Sequence, residues 1–569
     1  MAIHTYIGAR YVPKFIGTYD PTQSYEALDV VDNGSGTSYI AVKPTPAGTP
    51  LTDTTHWFLY GAASGAIINL QNQINQINSD IQDIVNRYDV LIPEDYGAEG
   101  DGITSDLQAF KDCFADAAGK CVLLTRTYLI DGTNIDVPSN CTIIGAGGVV
   151  LDAAHTQDDN VRTGIFCIHN VSGVKIQNVT FKGISLGEIK TSSYYTNTLI
   201  DIADSSDIEI SNNKLLAIDS NHGIVIKHGT NVRVINNYIS WYRYIGIGTL
   251  NNSKNVLIQG NLIYNCGFNY VNTYPIGVSS IEHSGALADQ IVCENVTCDG
   301  NIIYCDVGNN DWEGIDAHGG KKLNVTNNIL YNIRYGIALM SEIARNFQVD
   351  DSIISGNIYY NDDANSYSGG SYGISIGGER NLVTDNYIYG AGKSGVGAIY
   401  LNNWIRASKI TDNLIVAYFT AAIAYGAYND TNLSRDIVIS DNMFVAGQGA
   451  TAHIFNTENN NGATVYFGRD FIMRNNEFVR AGGVNPTYNL PNAAHYEPLI
   501  LEGNYYPTTP TYAGDLRNVA PDLIDIADIS SYTAGGHVGH TCIIAGGGAT
   551  DPIMMVFNGS AYRKINASS

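Results

Sequence analysis

The stretch Trp312-Glu-Gly-Ile-Asp-Ala-His-Gly319 gathers two carboxylates, an imidazole and an indole into one short run. Read as an extended strand, Ile315 and Ala317 face one way, while Asp316 and His318 face the other. A similar run, Gly223-Ile-Val-Ile-Lys-His228, lies 14 residues before Asn237, as Gly314 lies 14 before Asn328. In that alignment Asp316 takes the place of Val225, and His318 that of Lys227. The preceding segment then supplies Ser279, Glu282 and His283, and the following one Ala338, Met340, Glu342 and Arg345. Parallel strands lie about 4.8 Å apart, so carboxylates on neighbours fall roughly 5–10 Å from each other. That window serves retaining or inverting cleavage of a glycosidic bond. Asp316, Glu282 and Glu342 are therefore the candidate acid and base or nucleophile, with His318 or His283 tuning them. Loops at Gly267–Tyr274 and Asp306–Glu313 wall a groove, which makes Tyr274, Trp312 and Glu313 substrate contacts. Arg345 would neutralise a uronate in a lyase variant. The His, Asp and Glu spacing matches no established ligand motif, so no metal and no cofactor are expected.

Such placement needs strands stacked in register, and the sequence repeats accordingly. The pattern apolar-x-apolar-x-x-Asn-x-apolar recurs at Asn178, Asn213, Asn237, Asn261, Asn301, Asn328, Asn357, Asn386, Asn413, Asn442, Asn476 and Asn504. A period of about 30 residues signals a solenoid or a propeller. Each repeat holds two or three strands of period two, its length varies, and no Trp-Asp signature appears. These features predict a right-handed parallel β-helix over 91–505, an all-β fold. The repeated Asn is expected at a corner, through its tolerance of the left-handed region and through stacked amides. Composition agrees: 59 Gly and 38 Tyr, with charged residues at only 15%. The formal charge of −24 excludes nucleic acid or an anionic membrane as a partner held by the overall field. No run of 18 apolar residues is present, and no apolar run opens the chain, so neither a membrane span nor a secretory signal is expected. The nine cysteines include no C-x-x-C pair and read as buried free thiols, which fits synthesis in a reducing cytoplasm.

Three flanking pieces complete the chain. Residues 1–60 carry strand-like Ala27–Val31 and Ser38–Val42 around the turn Asn33–Gly36, a small β module. In 61–90, Ile67, Leu70, Ile74, Ile77, Ile81, Ile84 and Tyr88 are spaced alternately three and four apart. This a/d seam, with Ile at both positions, predicts a short parallel trimeric coiled coil. Residues 506–569 hold glycine clusters and the strand Ile553–Phe557, a small β tip.

Two stretches resemble known families. Gly8–Gly17, Tyr25–Val31, Pro46–Pro50 and Trp57 resemble the N-terminal module of fibre and appendage proteins in phages of Gram-positive bacteria. Tyr96-Gly-Ala-Glu-Gly-Asp-Gly102, the helical Leu107–Phe114, and Val122–Leu124 with Thr127–Ile130 resemble the opening of the pectate-lyase-like superfamily. There a helix caps the first coil. That superfamily includes lyases, hydrolases, epimerases and phage tailspikes. The end, Phe557–Lys564, is similar to the tail of many phage structural proteins. The resemblance implies a homotrimeric tailspike or neck appendage, made in the host cytoplasm and attached to the virion through 1–60. Its partner would be a polysaccharide of the host cell surface. Two functional classes fit: a depolymerase acting by carboxylate acid/base hydrolysis, or a receptor-binding fibre without catalysis. A lyase and a teichoic-acid-degrading enzyme are variants of the first.

Overall fold

The computed structural model describes residues 13–62 (except 36), 76, 90–153, 164–183, 198–216, 222–264 (except 243), 273–279, 291–305, 313–341, 347–361, 371–391, 397–426 (except 403 and 419), 435–447 and separate strand segments from 453 to 564. The heptad seam falls outside the described residues, apart from its neighbour Gln76. The chain divides into two compact units, 1–89 and 90–569.

In the first unit, strands Lys14–Thr18, Asp29–Asp32, Thr37–Ala41 and Trp57–Ala62 form one sheet in sequence order. Its small core is Tyr25, Val31, Ala41 and Trp57, with Tyr19 against it. The Tyr25 and Trp57 rings meet edge to face at 5.2 Å between centroids, the geometry an aromatic quadrupole favours.

The second unit is a stack of coils. Each full coil contributes one strand to each of three parallel ladders. The first sheet runs from Ile135–Asp136 to Thr511–Gly514 and the second from Asp101–Ser105 to Glu477–Val479, with 14 strands each. The third runs from Val90–Leu91 to Val519–Ala520. One of its strands is split into Gly320–Lys321 and Asn324–Thr326 by Lys322, which sits at φ 55°. Strands at 511–514 and 519–520 continue the first and third ladders beyond residue 505, where the sequence suggested an end.

Helix Leu107–Ala115 turns Ala109, Phe110, Cys113 and Phe114 inward at the N-terminal end. Phe110 and Phe114 meet Phe166 edge-on at 6.3 and 6.0 Å. Asp106 fixes the approach: its Oδ1 accepts from the Glu99 amide at 2.8 Å and its Oδ2 from the Leu129 amide at 3.1 Å. Behind this cap, inward Ile, Val and Leu side chains form one continuous core along the stack. The described cysteines 113, 121, 141, 167, 293, 298 and 305 are buried and in no disulfide.

One corner carries the repeated Asn. The Asn328 amide and Nδ2 donate to Asn357 Oδ1, both at 2.9 Å, while Nδ2 also donates to the Cys298 carbonyl at 2.9 Å. The same bonds link every neighbouring pair from Asn213 to Asn504. The stacked amides were legible, but their left-handed backbone was not. The left-handed residue is the one before, such as Asn212 at 57°, Asn236 at 54° and Asp412 at 57°. Asn178 is itself such a residue, at φ 59°, and Val179 occupies the ladder place, its amide donating to Asn213 Oδ1 at 2.9 Å.

Near the C-terminus, Thr541–Ile544, Ile553–Phe557 and Tyr562–Lys564 form a three-stranded antiparallel sheet.

Candidate active site

Strand Glu313–His318 lies in the first sheet between Tyr274–Ser279 and Tyr335–Met340. The register places Asp316 beside Gly277 and Ala338, and His318 beside Ser279 and Met340, as the sequence alignment required. Ile315 and Ala317 enter the core. Asp316 and His318 take the other face, yet Asp316 is only 3% exposed. An outward position on this sheet is thus a covered one.

Glu313 belongs to the same cluster. Strict alternation over three residues would put Glu313 and Asp316 on opposite faces. Gly314 breaks the alternation. A Cβ there would stand 2.5 Å from Leu330 Cδ2 and 2.8 Å from the Gly336 carbonyl, so the residue must be glycine and must face inward. Two consecutive inward residues, Gly314 and Ile315, return Glu313 to the Asp316 face. Glu313 was expected to touch substrate from a loop. It is instead the first residue of the strand and 5% exposed.

One ligand atom from each of Glu313, Asp316 and His318 lies within 4.8 Å of the others. His318 Nε2 is 3.2 Å from Asp316 Oδ2. Asp316 Oδ1 is buried with no hydrogen-bond partner. The Tyr372 hydroxyl donates to Glu313 Oε1 at 3.3 Å. Burial, and then the neighbouring Asp316 charge, push the Glu313 carboxyl up to about 8; His318, Tyr372 and Arg334 act against this shift. Glu313 therefore holds its proton more tightly than an ordinary glutamate, beside Asp316 with its idle Oδ1. A spacing this short would also suit a divalent cation, but Glu313 would first have to give up that proton.

Aromatic rings cover the cluster. Burial and the Asp316 charge raise the Tyr274 hydroxyl far above the ordinary range, and its ring meets Tyr244 edge-on at 5.4 Å. Tyr335 and Tyr372 stack at 4.5 Å on the other side, with the Arg334 guanidinium 4.7 Å over the Tyr335 ring. Tyr274, expected at a loop end, opens the adjacent strand. Tyr372 and Arg334 were missed. A signal for Tyr372 existed: Glu313-Gly-Ile, Tyr335-Gly-Ile and Tyr372-Gly-Ile repeat the same corner. Glu282, His283, Trp312, Glu342 and Arg345 lie outside the described residues.

A family model described as the right-handed beta helix region matches residues 163–360. The fold is a right-handed parallel β-helix. Over 395 residues this β-helix chain is 23% identical to the "Depolymerase, capsule K30/K69-specific" of Klebsiella phage K64-1, covering 61% of the chain and 45% of that relative. The chain thus spans less than half of the relative's length. Among solved structures, the mannuronan C-5 epimerase AlgE4 A-module of Azotobacter vinelandii gives a TM-score of 0.48 at 13% identity, covering 75% of this chain and 100% of that one. Tailspike protein 3 of bacteriophage CBA120 gives 0.39 at 11% identity, covering 97% and 85%. No described helix is long and apolar enough to cross a membrane.

Proposed function

We propose that this β-helix is the working part of a homotrimeric phage tailspike or appendage that binds and hydrolyses a host surface polysaccharide. The observation that carries the reading is the buried pair of Glu313, which holds its proton, and Asp316, which has an unpartnered oxygen. A carboxyl group that keeps its proton beside a second carboxyl group is what acid–base cleavage of a glycoside requires. The similarity to a capsule-specific phage depolymerase supports the substrate class. The N-terminal unit would join the virion.

Glu313 gives its proton to the glycosidic oxygen as the bond from the anomeric carbon breaks. Asp316 Oδ1 takes a proton from the water that adds to that carbon, or first attacks the carbon itself. His318 holds Oδ2 and fixes the carboxylate plane. Glu313 thereby fills the role the sequence reading gave to Glu282 or Glu342.

The test is incubation of the purified protein with capsular and cell-wall glycans from candidate hosts, following chain length and new reducing ends. Cleavage that is lost in Glu313→Gln and Asp316→Asn supports the reading. No cleavage across the panel leaves a binding fibre and overturns the hydrolase. Products that absorb as unsaturated uronates overturn hydrolysis in favour of elimination.

A further inference from the structure

The cluster of Glu313, Asp316 and His318 offers more than an acid and a base. One ligand atom from each lies within 4.8 Å of the others, and among the described residues no second trio of His, Cys, Asp or Glu is gathered so closely. His318 Nε2 and Asp316 Oδ2 stand 3.2 Å apart. Two ligands held at about 2.0–2.1 Å on a tetrahedral ion are roughly 3.3 Å from each other, so this pair already has a metal spacing. Asp316 is 3% exposed, and its Oδ1 has no hydrogen-bond partner. The two hydroxyls nearby leave it so: that of Tyr372 donates to Glu313, and that of Tyr274 does not reach it. A buried carboxylate oxygen without a partner calls for an explanation, and an ion is among the partners that resolve such a case. There is also room for one. Asp316 has Gly277 on one side and Ala338 on the other. A Cβ added at Gly277 would meet nothing nearer than Tyr274 Cβ at 3.8 Å.

We infer that Glu313, Asp316 and His318 form a binding site for one divalent transition-metal ion, and that the ion arrests cleavage while it is bound. The donor set chooses the class of ion. An imidazole nitrogen with two carboxylates suits Zn²⁺ and its first-row neighbours. Ca²⁺ and Mg²⁺ want about six or more oxygens, and two carboxylates supply at most four. The sequence spacing, Glu-x-x-Asp-x-His, hides the site, because only the inward turn at Gly314 brings Glu313 to the Asp316 face. The pair of Asp201 and His169 marks the contrast. With Thr198 in the place of Glu313, that pair gathers no third ligand among the described residues. Arrest follows from the same atoms. The proposed hydrolysis needs a proton on Glu313 and a bare oxygen on Asp316. A carboxylate oxygen on a metal ion carries no proton, and an Asp316 Oδ1 turned to the ion takes none from water. The arrest rests on the proposed hydrolysis; the ion site does not.

Calorimetry of the full chain with Zn²⁺ alone should show one ion bound per chain. Co²⁺ in its place should give visible absorption bands that added Zn²⁺ abolishes. Asp316→Asn and His318→Gln should each weaken binding at least about 10-fold, and Asp201→Asn should leave it unchanged. Near-ultraviolet circular dichroism of each variant should match the native chain, which separates a lost ligand from a lost fold. Where Asp316→Asn does not fold, His318→Gln carries the comparison. No uptake of Zn²⁺, uptake that survives both substitutions, or equal affinity for Ca²⁺ overturns the site. Saturating Zn²⁺ should lower reducing-end release at least about 10-fold, and a chelator should restore it. Cleavage that bound Zn²⁺ leaves unchanged or raises overturns the arrest. Zn²⁺ uptake by a chain that cleaves no glycan in the panel overturns the hydrolase, and the arrest with it, while supporting the ion site.

Discussion

The first sheet holds two Asp–His pairs on the same columns. Asp201 aligns through Val225, Gly248 and Gly277 with Asp316, and His169 through Ala203, Lys227, Leu250 and Ser279 with His318. Four strand steps, about 19 Å, separate the pairs. Both aspartates are buried, and His169 Nε2 lies 2.9 Å from Asp201 Oδ2, reaching across strands. The difference is the third member. Where Glu313 stands three residues before Asp316, Thr198 stands three before Asp201. With Thr198 in the place of Glu313, the Asp201 pair is a bond that raises the His169 proton affinity, with Asp136 and Asp204 adding to it. With Glu313 present, the Asp316 pair becomes a site in which burial and the Asp316 charge raise the proton affinity of Glu313. An Asp–His pair on the outer face of a β-helix thus says little by itself.

Asp316→Asn against Asp201→Asn breaks the comparison most directly. Reducing-end assays should show kcat/KM falling about 10³-fold or more for the first, and less than about twofold for the second. Equal losses would make the two pairs parts of one substrate track.

Glu313→Gln should cost about 10²-fold in kcat and also change the pH response. In the native chain, cleavage should fail as pH rises through about 8 and Glu313 loses its proton. Stability carries the same sign. The folded state binds one more proton than the unfolded state between Glu's ordinary 4.5 and about 8, so stability is fullest below 4.5 and declines across that window. Thermal midpoints measured across that range should fall with pH in the native chain and flatten in Glu313→Gln.

The smallest effect belongs to His169→Gln. Its folded proton affinity is raised, so its pairing stabilises fully below its unfolded value near 6.5 and fades as pH rises through the folded one. The imidazole is 36% exposed, so solvent screening holds the loss below about 1 kcal/mol at pH 5.5. Denaturation at pH 5.5 and 8.5 should show it only at the lower value.

Periodicity carried the architecture far. The Asn ladder and the Asp316–His318 face follow from spacing, because each depends on residues near one another in sequence or repeated at one offset; the helix at Leu107–Phe114 came with the superfamily resemblance. Burial of the site does not. Tyr372, 59 residues from Glu313, covers it from another coil. The inward turn at Gly314 depends on Leu330 and Gly336 of the next coil. The sequence reading therefore left Glu313 as the last residue of the loop Asp306–Glu313. The one-residue shift of the left-handed corner has a similar cause. Both positions are often Asn, and only stacking tells the turning residue from the buried one.

The amide ladder also has a direction in time. Each Asn offers its backbone amide and one side-chain N–H to the oxygen of the Asn that comes later in the chain, 24 to 40 residues on. During synthesis, a coil leaving the ribosome has a raw corner until its successor has been laid on it. Asn301, for example, has no acceptor for its backbone N–H and for one of its side-chain N–H groups until Asn328 has emerged, while the other reaches back to the Ile258 carbonyl. The nascent chain should therefore close like a zipper from its capped N-terminal end, one coil behind the newest. A stop codon anywhere in the stack would leave unpaired donors at its growing tip.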